Sequence, residues 1–265
     1  MSRIAHLSDV HFGRISHGTV VDAIVRDVND AKPDIVVVSG DLTQRALPVQ
    51  YAAARDFLSR FEAPVLVVPG NHDVYAWWHP VGRLADPLKR YRQFITDDLT
   101  PTYSSPGLSV FGLNSAFGFT VKGGRVLASD RKAMQDWFEA TPAGDFRVLV
   151  VHHHLTRVRA LGPHDVARHA KATLAAAMDA RVDLILCGHL HISHIEPIEI
   201  VPAAHRLVIA SAGTATSNRG RRHHRGANFF NVVEVENTRF RITERLFSLE
   251  IGGFRDEVES VFERN

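Results

Sequence analysis

Five times in this chain a short apolar run stops abruptly at aspartate, asparagine or histidine. Val65-Leu66-Val67-Val68-Pro69 runs into Gly70-Asn71-His72-Asp73. Ile4-Ala5-His6-Leu7 is followed by Asp9 and His11, and Ile35-Val36-Val37-Val38 by Gly40-Asp41. Val148-Leu149-Val150-Val151 meets His152, His153 and His154, and Leu184-Ile185-Leu186-Cys187 meets His189 and His191. Short β-branched runs of this kind read as strands buried on both faces. In open α/β sheets ligands bind just beyond the carboxyl ends of such strands. The pattern predicts that these five strand ends converge on one metal site.

The segments between the runs carry helical spacing. Val20, Ala23, Ile24 and Val28 mark a helix over 19–29. Pro48 opens a second helix reaching Phe61, as proline does in a first turn. Strand–helix–strand–helix–strand at these lengths argues for a parallel sheet with right-handed crossovers. Further on, a helix is expected over 83–98, a strand over 108–113 and a helix capped by Ser129 through Ala140. A strand follows over 147–151 and an alanine-rich helix over 171–180. The runs 195–201, 207–210, 228–235 and 240–246 look like antiparallel strands, with turns at 202–204 and 236–238. Residues 252–265 are charged and give no pattern. No repeat or linker interrupts the chain, so residues 1–265 read as one domain.

Composition narrows the class. At 265 residues with 45% hydrophobic content, the chain is long enough to bury a large core. A formal net charge of +2 gives no electrostatic case for nucleic acid or a membrane surface. The single cysteine, Cys187, excludes an internal disulfide. A strand starting at Arg3 leaves no room for a signal peptide, and no apolar run is long enough for a bilayer span. A cytoplasmic protein is expected. The 16 histidines stand out, because histidine is the commonest metal ligand.

The donor set has its own chemistry. Asp9 and His11, two residues apart, lie on one side of an extended chain. Asp41 adds a carboxylate, Asn71 an amide oxygen, and His152, His189 and His191 imidazoles. Mixed nitrogen and oxygen donors suit iron, manganese, zinc or cobalt, not calcium. One tetrahedral zinc takes about three or four protein ligands. This larger set is enough for two metals with a shared carboxylate.

Asp9-Val10-His11, Gly40-Asp41, Gly70-Asn71-His72-Asp73, Val151-His152-His153 and Gly188-His189-Leu190-His191, in this order, resemble the calcineurin-like metallophosphoesterase superfamily. The resemblance runs from Arg3 to about Phe230. Within the superfamily the chain is most similar to the bacterial cyclic-nucleotide phosphodiesterases of class III type. The resemblance implies an α/β fold, a four-layer αββα sandwich with two central mixed sheets. It also implies two metal ions per chain, with manganese or iron ahead of zinc. Asp9, His11 and His191 would hold one ion, and Asn71, His152 and His189 the other, with Asp41 bridging. A hydroxide between the ions would attack phosphorus in line with the leaving oxygen.

His72 matches the family's non-ligand histidine, an acid for the leaving alkoxide or a hydrogen bond to phosphate. Arg45 matches an arginine that contacts phosphate in the related protein phosphatases. Gln44 stands where those enzymes carry an aspartate that orients the histidine. His153 and His154 are expected beside the ligands or facing substrate, with His153 a substrate contact. Tyr75, Trp77 and Trp78 are candidates for an aromatic wall, and Arg219–Arg225 for an anion-binding loop. The expected activity is hydrolysis of small phosphodiesters, cyclic nucleotides or glycerophosphodiesters. A double-strand-break-repair-type nuclease, a phosphomonoesterase and a non-catalytic metal-binding scaffold are the alternatives. Nucleic acid is not an expected partner, and self-association is left open.

Overall fold

A computed structural model describes residues 1–120, 123–157, 166–198, 205–220, 224 and 226–264, with 196–198 described by backbone alone. One sheet starts from β1 (Ser2–Leu7), β2 (Ile35–Val38) and β3 (Val65–Val67), linked by α1 (Val20–Ala31) and α2 (Pro48–Leu58). These strands pair in parallel. On the other side of β1 the sheet continues through β10 (Phe229–Val235), β11 (Arg239–Ser248) and β12 (Gly253–Glu263), all antiparallel.

The second sheet contains β4 (Thr102–Ser105), β5 (Leu108–Leu113), β6 (Phe146–Val151), β7 (Leu184–Cys187), β8 (His194–Ile198) and β9 (Leu207–Ser211). Its strand order is β4-β5-β6-β7-β9-β8, with antiparallel pairing only at the two edges. The remaining helices are α3 (Pro80–Ala85), α4 (Lys89–Phe94), α5 (Ala128–Ala140) and α6 (Ala170–Asp179).

The period of two explains the layers. In β2, Ile35 and Val37 join Val148, Val150, Leu184 and Leu186 in a core between the two sheets. Val36 and Val38 point the other way, onto Ile24, Val28 and Phe57 of α1 and α2. In β6, Leu149 and Val151 face Met134, Phe138 and Ala177 of α5 and α6. Each central strand is thus apolar on both faces, the property that made it legible as an unbroken run. The result is the expected αββα sandwich with two mixed sheets. The parallel central strands of both sheets carry the motif residues at their carboxyl ends.

Four details differ from the sequence expectations. The helix expected over 83–98 is two short helices, α3 and α4, because Pro87 removes a donor and disfavours a helical residue before it. Ser129 is not a cap: α5 starts at Ala128 behind Leu127, and Ser129 Oγ bonds Asp130 instead. β4 was not expected. Its alternating exposed and half-buried residues mark a solvent-facing edge strand, too polar to read as core. The charged segment after Gly252 forms β12, paired along its length with β11. Its alternation is weak because only Phe254 is buried, and pairing with a long neighbour holds it in place. The turn expected at 202–204, the end of the 195–201 run, Arg221–His223 and Arg225 lie outside the described residues. Among the described residues no helix is long and apolar enough to cross a membrane.

Candidate metal centre

The chain leaves its strands in an unusual conformation. Asp9, His11, Asp41, His189 and His191 all have left-handed backbone, with φ of 53°, 52°, 55°, 72° and 57°. That region costs a residue with a Cβ on the order of 1–2 kcal/mol, and such strain gathers at functional sites. Glycine would relieve it but supplies no side chain. The loops are held by backbone bonds that prolong the strand pairing: Asp9 N–H to Gly40 O at 3.1 Å and His11 N–H to Asp41 O at 2.9 Å. Gly40 has φ +96°, and a Cβ there would lie 2.6 Å from His152 Nδ1 and 2.9 Å from Gly70 N. Only glycine lets the β2 and β6 ends approach so closely.

Asp9, His11 and His191 form one group, all buried. Asp9 Oδ2 accepts from Ser8 Oγ and from the His189 N–H, each at 2.8 Å. This leaves Asp9 Oδ1 facing inward, 3.5 Å from His11 Nε2 and 3.6 Å from His191 Nδ1. These three atoms are buried and have no hydrogen-bond partner. Ligand atoms about 2.1 Å from a tetrahedral ion stand roughly 3.4 Å apart. The observed spacings match, so these residues fit a metal ion.

Across Asp41 lies a second group. His152 Nε2 is 3.3 Å from Asn71 Oδ1, and His189 Nδ1 is 2.9 Å from the same oxygen. Asp41 faces both groups: its Oδ2 lies 3.6 Å from His11 Nε2, and its Oδ1 lies 3.4 Å from His152 Nε2. Backbone carbonyls set two of the rings. Nδ1 of His152 donates to Ser39 O at 2.7 Å, and Nδ1 of His11 to Thr43 O at 3.3 Å. Each bond turns Nε2 inward, where it can ligate once deprotonated, a common device for orienting ligating histidines.

Charge supports the same reading. Burial alone pushes Asp9 up, but His191, His11 and His152 outweigh it and hold the carboxyl well below the usual range. Asp41 is likewise held low, against burial, chiefly by His152 and His72. Burial opposes protonation of His152, yet the Asp41 and Asp9 carboxylates push it up to about 9. Burial holds His189 well below its ordinary value and His191 down at about 3, so both are neutral, as metal ligands must be. Two buried carboxylates demand compensating positive charge, which the protonated His152 ring supplies here and which a metal ion would supply on displacing that proton.

The other expected residues divide. His72 joins His11 and Asp41: its ring meets His11 edge-on with centroids 4.8 Å apart, and its backbone N–H donates to Asp41 Oδ1 at 2.8 Å. His153 groups with His152 and His189 and is buried, with Nδ1 2.8 Å from Ser115 Oγ and Nε2 without a partner. His154 turns away, toward Cys187 and Ser211 in the core. Arg45 is exposed and lies over the Trp78 ring at 5.2 Å. Tyr75 packs under Arg90, while Trp77 stands largely in solvent.

Several supporting residues were not singled out from sequence. Asp73 accepts from the N–H groups of Leu42, Thr43 and Gly70 at 3.2, 2.9 and 2.9 Å, tying the β2 and β3 ends together. Burial first, then Asp41, pushes its carboxyl up to about 6. Thr214 Oγ1 donates to Asp9 O at 2.7 Å, and Thr216 Oγ1 to Val10 O at 2.6 Å. Nothing in the local pattern around Thr214 or Thr216 marks them.

The decisive comparison is with known families. The family model for calcineurin-like phosphoesterases matches residues 2–193.

This chain belongs to the calcineurin-like phosphoesterase family.

A "Probable cyclic nucleotide phosphodiesterase" of Rhodococcus erythropolis is 26% identical over 261 residues, covering 88% of this chain and 79% of that relative. A "cAMP/cGMP dual specificity phosphodiesterase" of Mycobacterium tuberculosis is 25% identical, covering 86% and 75%. "Glycerophosphodiester phosphodiesterase GpdQ" of Enterobacter lignolyticus is 40% identical over 80 residues, which span 26% of this chain and only 29% of that relative. A dimetal phosphatase from Danio rerio shares the fold at TM-score 0.69 and 11% identity, covering 100% of this chain and 99% of its own. A purple acid phosphatase from yellow lupin also reaches 0.69, at 12% identity, with 54% of its own length covered. The metallophosphoesterase fold and its hydrolase family are thereby established, with His/Asp clusters able to hold metal at the strand ends.

Proposed function

We propose that this chain is a dinuclear metal-dependent phosphodiesterase acting on small molecules. Asp9, His11 and His191 would hold one ion and Asn71, His152 and His189 the other, with Asp41 placed to serve both. The observation that carries this reading is Asp41, whose two oxygens face the two groups separately. When bound, such ions supply Lewis-acid activation of water and neutralise charge on the phosphoryl oxygens.

The chain's own residues do the rest. Ser8, Ser39 and Thr43 fix the orientation of Asp9, His152 and His11. His72, half-buried beside His11, acts on the reacting phosphate from the edge of the Asp9 group, through the partner its ring holds. His153 borders the Asn71-side group with its buried Nε2. It supports that ion more readily than it reaches substrate. Arg45 with Trp78 forms an outer wall for the second ester arm.

A diester is favoured over a monoester because a monoester dianion brings more charge to neutralise, and Gln44 replaces the protein-phosphatase aspartate. The relatives' names favour a cyclic nucleotide or a glycerophosphodiester. The experiment compares kcat/KM for bis-nitrophenyl and nitrophenyl phosphate with manganese bound, then for cyclic AMP and glycerophosphocholine. A higher diester value is expected. Monoester efficiency equal to or above it would move the protein to the phosphatases. Cleavage of linear DNA with no small diester turned over would move it to the nucleases.

A further inference from the structure

Gln44 departs from the protein-phosphatase pattern, and an arginine from a distant loop meets it. His72 Nδ1 lies 2.8 Å from the Gln44 carbonyl oxygen. A carbonyl only accepts, so that nitrogen carries the proton. Arg219 Nη1 lies 2.9 Å from His72 Nε2. A guanidinium only donates, so Nε2 presents its lone pair to it. The same Nη1 donates to Gln44 Oε1 at 3.2 Å. These partners assign the ring as a neutral acceptor, and place a permanent cation one hydrogen bond from the His72 ring that abuts His11.

Arg219 is placed by a built strap. After β9 the chain runs back along the Asp9–His11 loop. Ala215 N–H donates to Ser8 O at 2.9 Å, alongside the Thr214 and Thr216 bonds to Asp9 and Val10. Asn228 Nδ2 holds Ser217 O at 2.9 Å, and Arg14 Nε holds Asn218 Oδ1 at 2.8 Å. Arg219 N–H then donates to Ser217 Oγ at 3.3 Å. Such anchoring spares much of the ordering cost of a long side chain on binding.

We propose that Arg219 binds a non-bridging phosphoryl oxygen of the substrate, with His72 and Gln44 acting as the acceptors that aim it. The inference rests on the phosphodiesterase reading and deepens it. A guanidinium does not lose its proton in proteins, so Arg219 stabilises charge and protonates nothing. Its planar fork suits phosphate oxygens, where negative charge gathers in the transition state. His72 then works by holding the cation.

The test uses manganese-loaded full-length protein and inorganic phosphate as the probe. Arg219→Ala weakens phosphate binding by about 10- to 100-fold, the range of a charge-assisted hydrogen bond, with metal content and melting temperature unchanged. Arg219→Lys recovers part of the affinity. The loss in kcat/KM is the same for diesters with nitrophenol and with alkyl leaving groups. Phosphate affinity within twofold of wild type in Arg219→Ala would overturn the proposal. So would a catalytic loss that shrinks as the leaving group improves. If wild-type protein hydrolyses no diester, the phosphodiesterase reading fails, while the phosphate titration still decides the role of Arg219.

Discussion

Two groups of ligand-type atoms meet at Asp41, and they differ in how well the protein alone satisfies them. In the Asp9 group, Asp9 Oδ1, His11 Nε2 and His191 Nδ1 are buried and unpartnered. In the Asn71 group, the Asn71 oxygen already receives His189 at 2.9 Å and His152 at 3.3 Å. Asn71 and His189 are also only half-buried. A buried polar atom without a partner costs about 1–3 kcal/mol. The Asp9 group therefore gains more from a cation, and gives it up less readily. The Asn71 group must break its own hydrogen bonds to bind one, and water reaches it. One side reads as a tight site and the other as an exchangeable site.

The largest expected effect comes from removing what the two sides share. Asp41→Ala should lose both ions and all measurable diesterase activity. Metal stoichiometry of the purified protein, alongside the bis-nitrophenyl phosphate assay, checks this. Retention of one full equivalent would separate the two groups more than the geometry of Asp41 allows.

Chelator titration sharpens the comparison next. One equivalent should leave at a chelator concentration at least about tenfold below that needed for the second, a difference of about 1.4 kcal/mol. His189→Ala should abolish the weak step, whereas His191→Ala should abolish the strong one. Loss of the two ions in a single step in wild type would break the distinction.

A smaller effect is expected from an orienting residue. Ser8→Ala removes the hydroxyl that holds Asp9 Oδ2. Affinity for the tightly held ion should fall by about 10- to 100-fold, the usual consequence of losing an outer-shell partner. The exchangeable ion should be unaffected, as calorimetric titration of manganese into metal-free protein would show.

A last effect, on stability and not on metal affinity, lies beneath both groups. His6 is fully buried, with Nε2 2.9 Å from Ser39 Oγ. Burial lowers its pKa to about 3, against the pull of Asp9. The unfolded ring titrates near 6.5, so its contribution to stability is fully present above pH 6.5. As pH falls from 6.5 toward 3, only the unfolded chain takes up this proton. Stability then drops by about 1.4 kcal/mol per pH unit for this one group. His6→Gln should flatten the acid limb of a urea-denaturation series by one proton, and an unchanged slope would remove His6 from the account.

Much of this architecture was legible before any coordinates. Ile35–Val38 and Leu184–Cys187 are buried on both faces, so their sequences carry no polar interruption until the strand ends. The residues at those ends were readable because each sits within five positions of its strand. The break at Pro87 and the strand after Gly252 were harder. A local helical pattern outweighed one proline in the first case. In the second, pairing with β11 outweighed a polar composition.

By itself the sequence determined the strand ends, their order, and the donor types they carry, because periodicity and residue identity are local properties. The tertiary structure alone decided which atom of each donor faces inward. That choice depends on backbone carbonyls such as Ser39 and Thr43, which bond His152 and His11 across the fold. It depends also on left-handed φ values that no local preference of aspartate or histidine would select alone. The contact of Arg219 with His72 spans 147 positions. A strap hydrogen-bonded along the Asp9 loop brings the two together, and long-range pairing of that kind leaves no periodic trace in either segment.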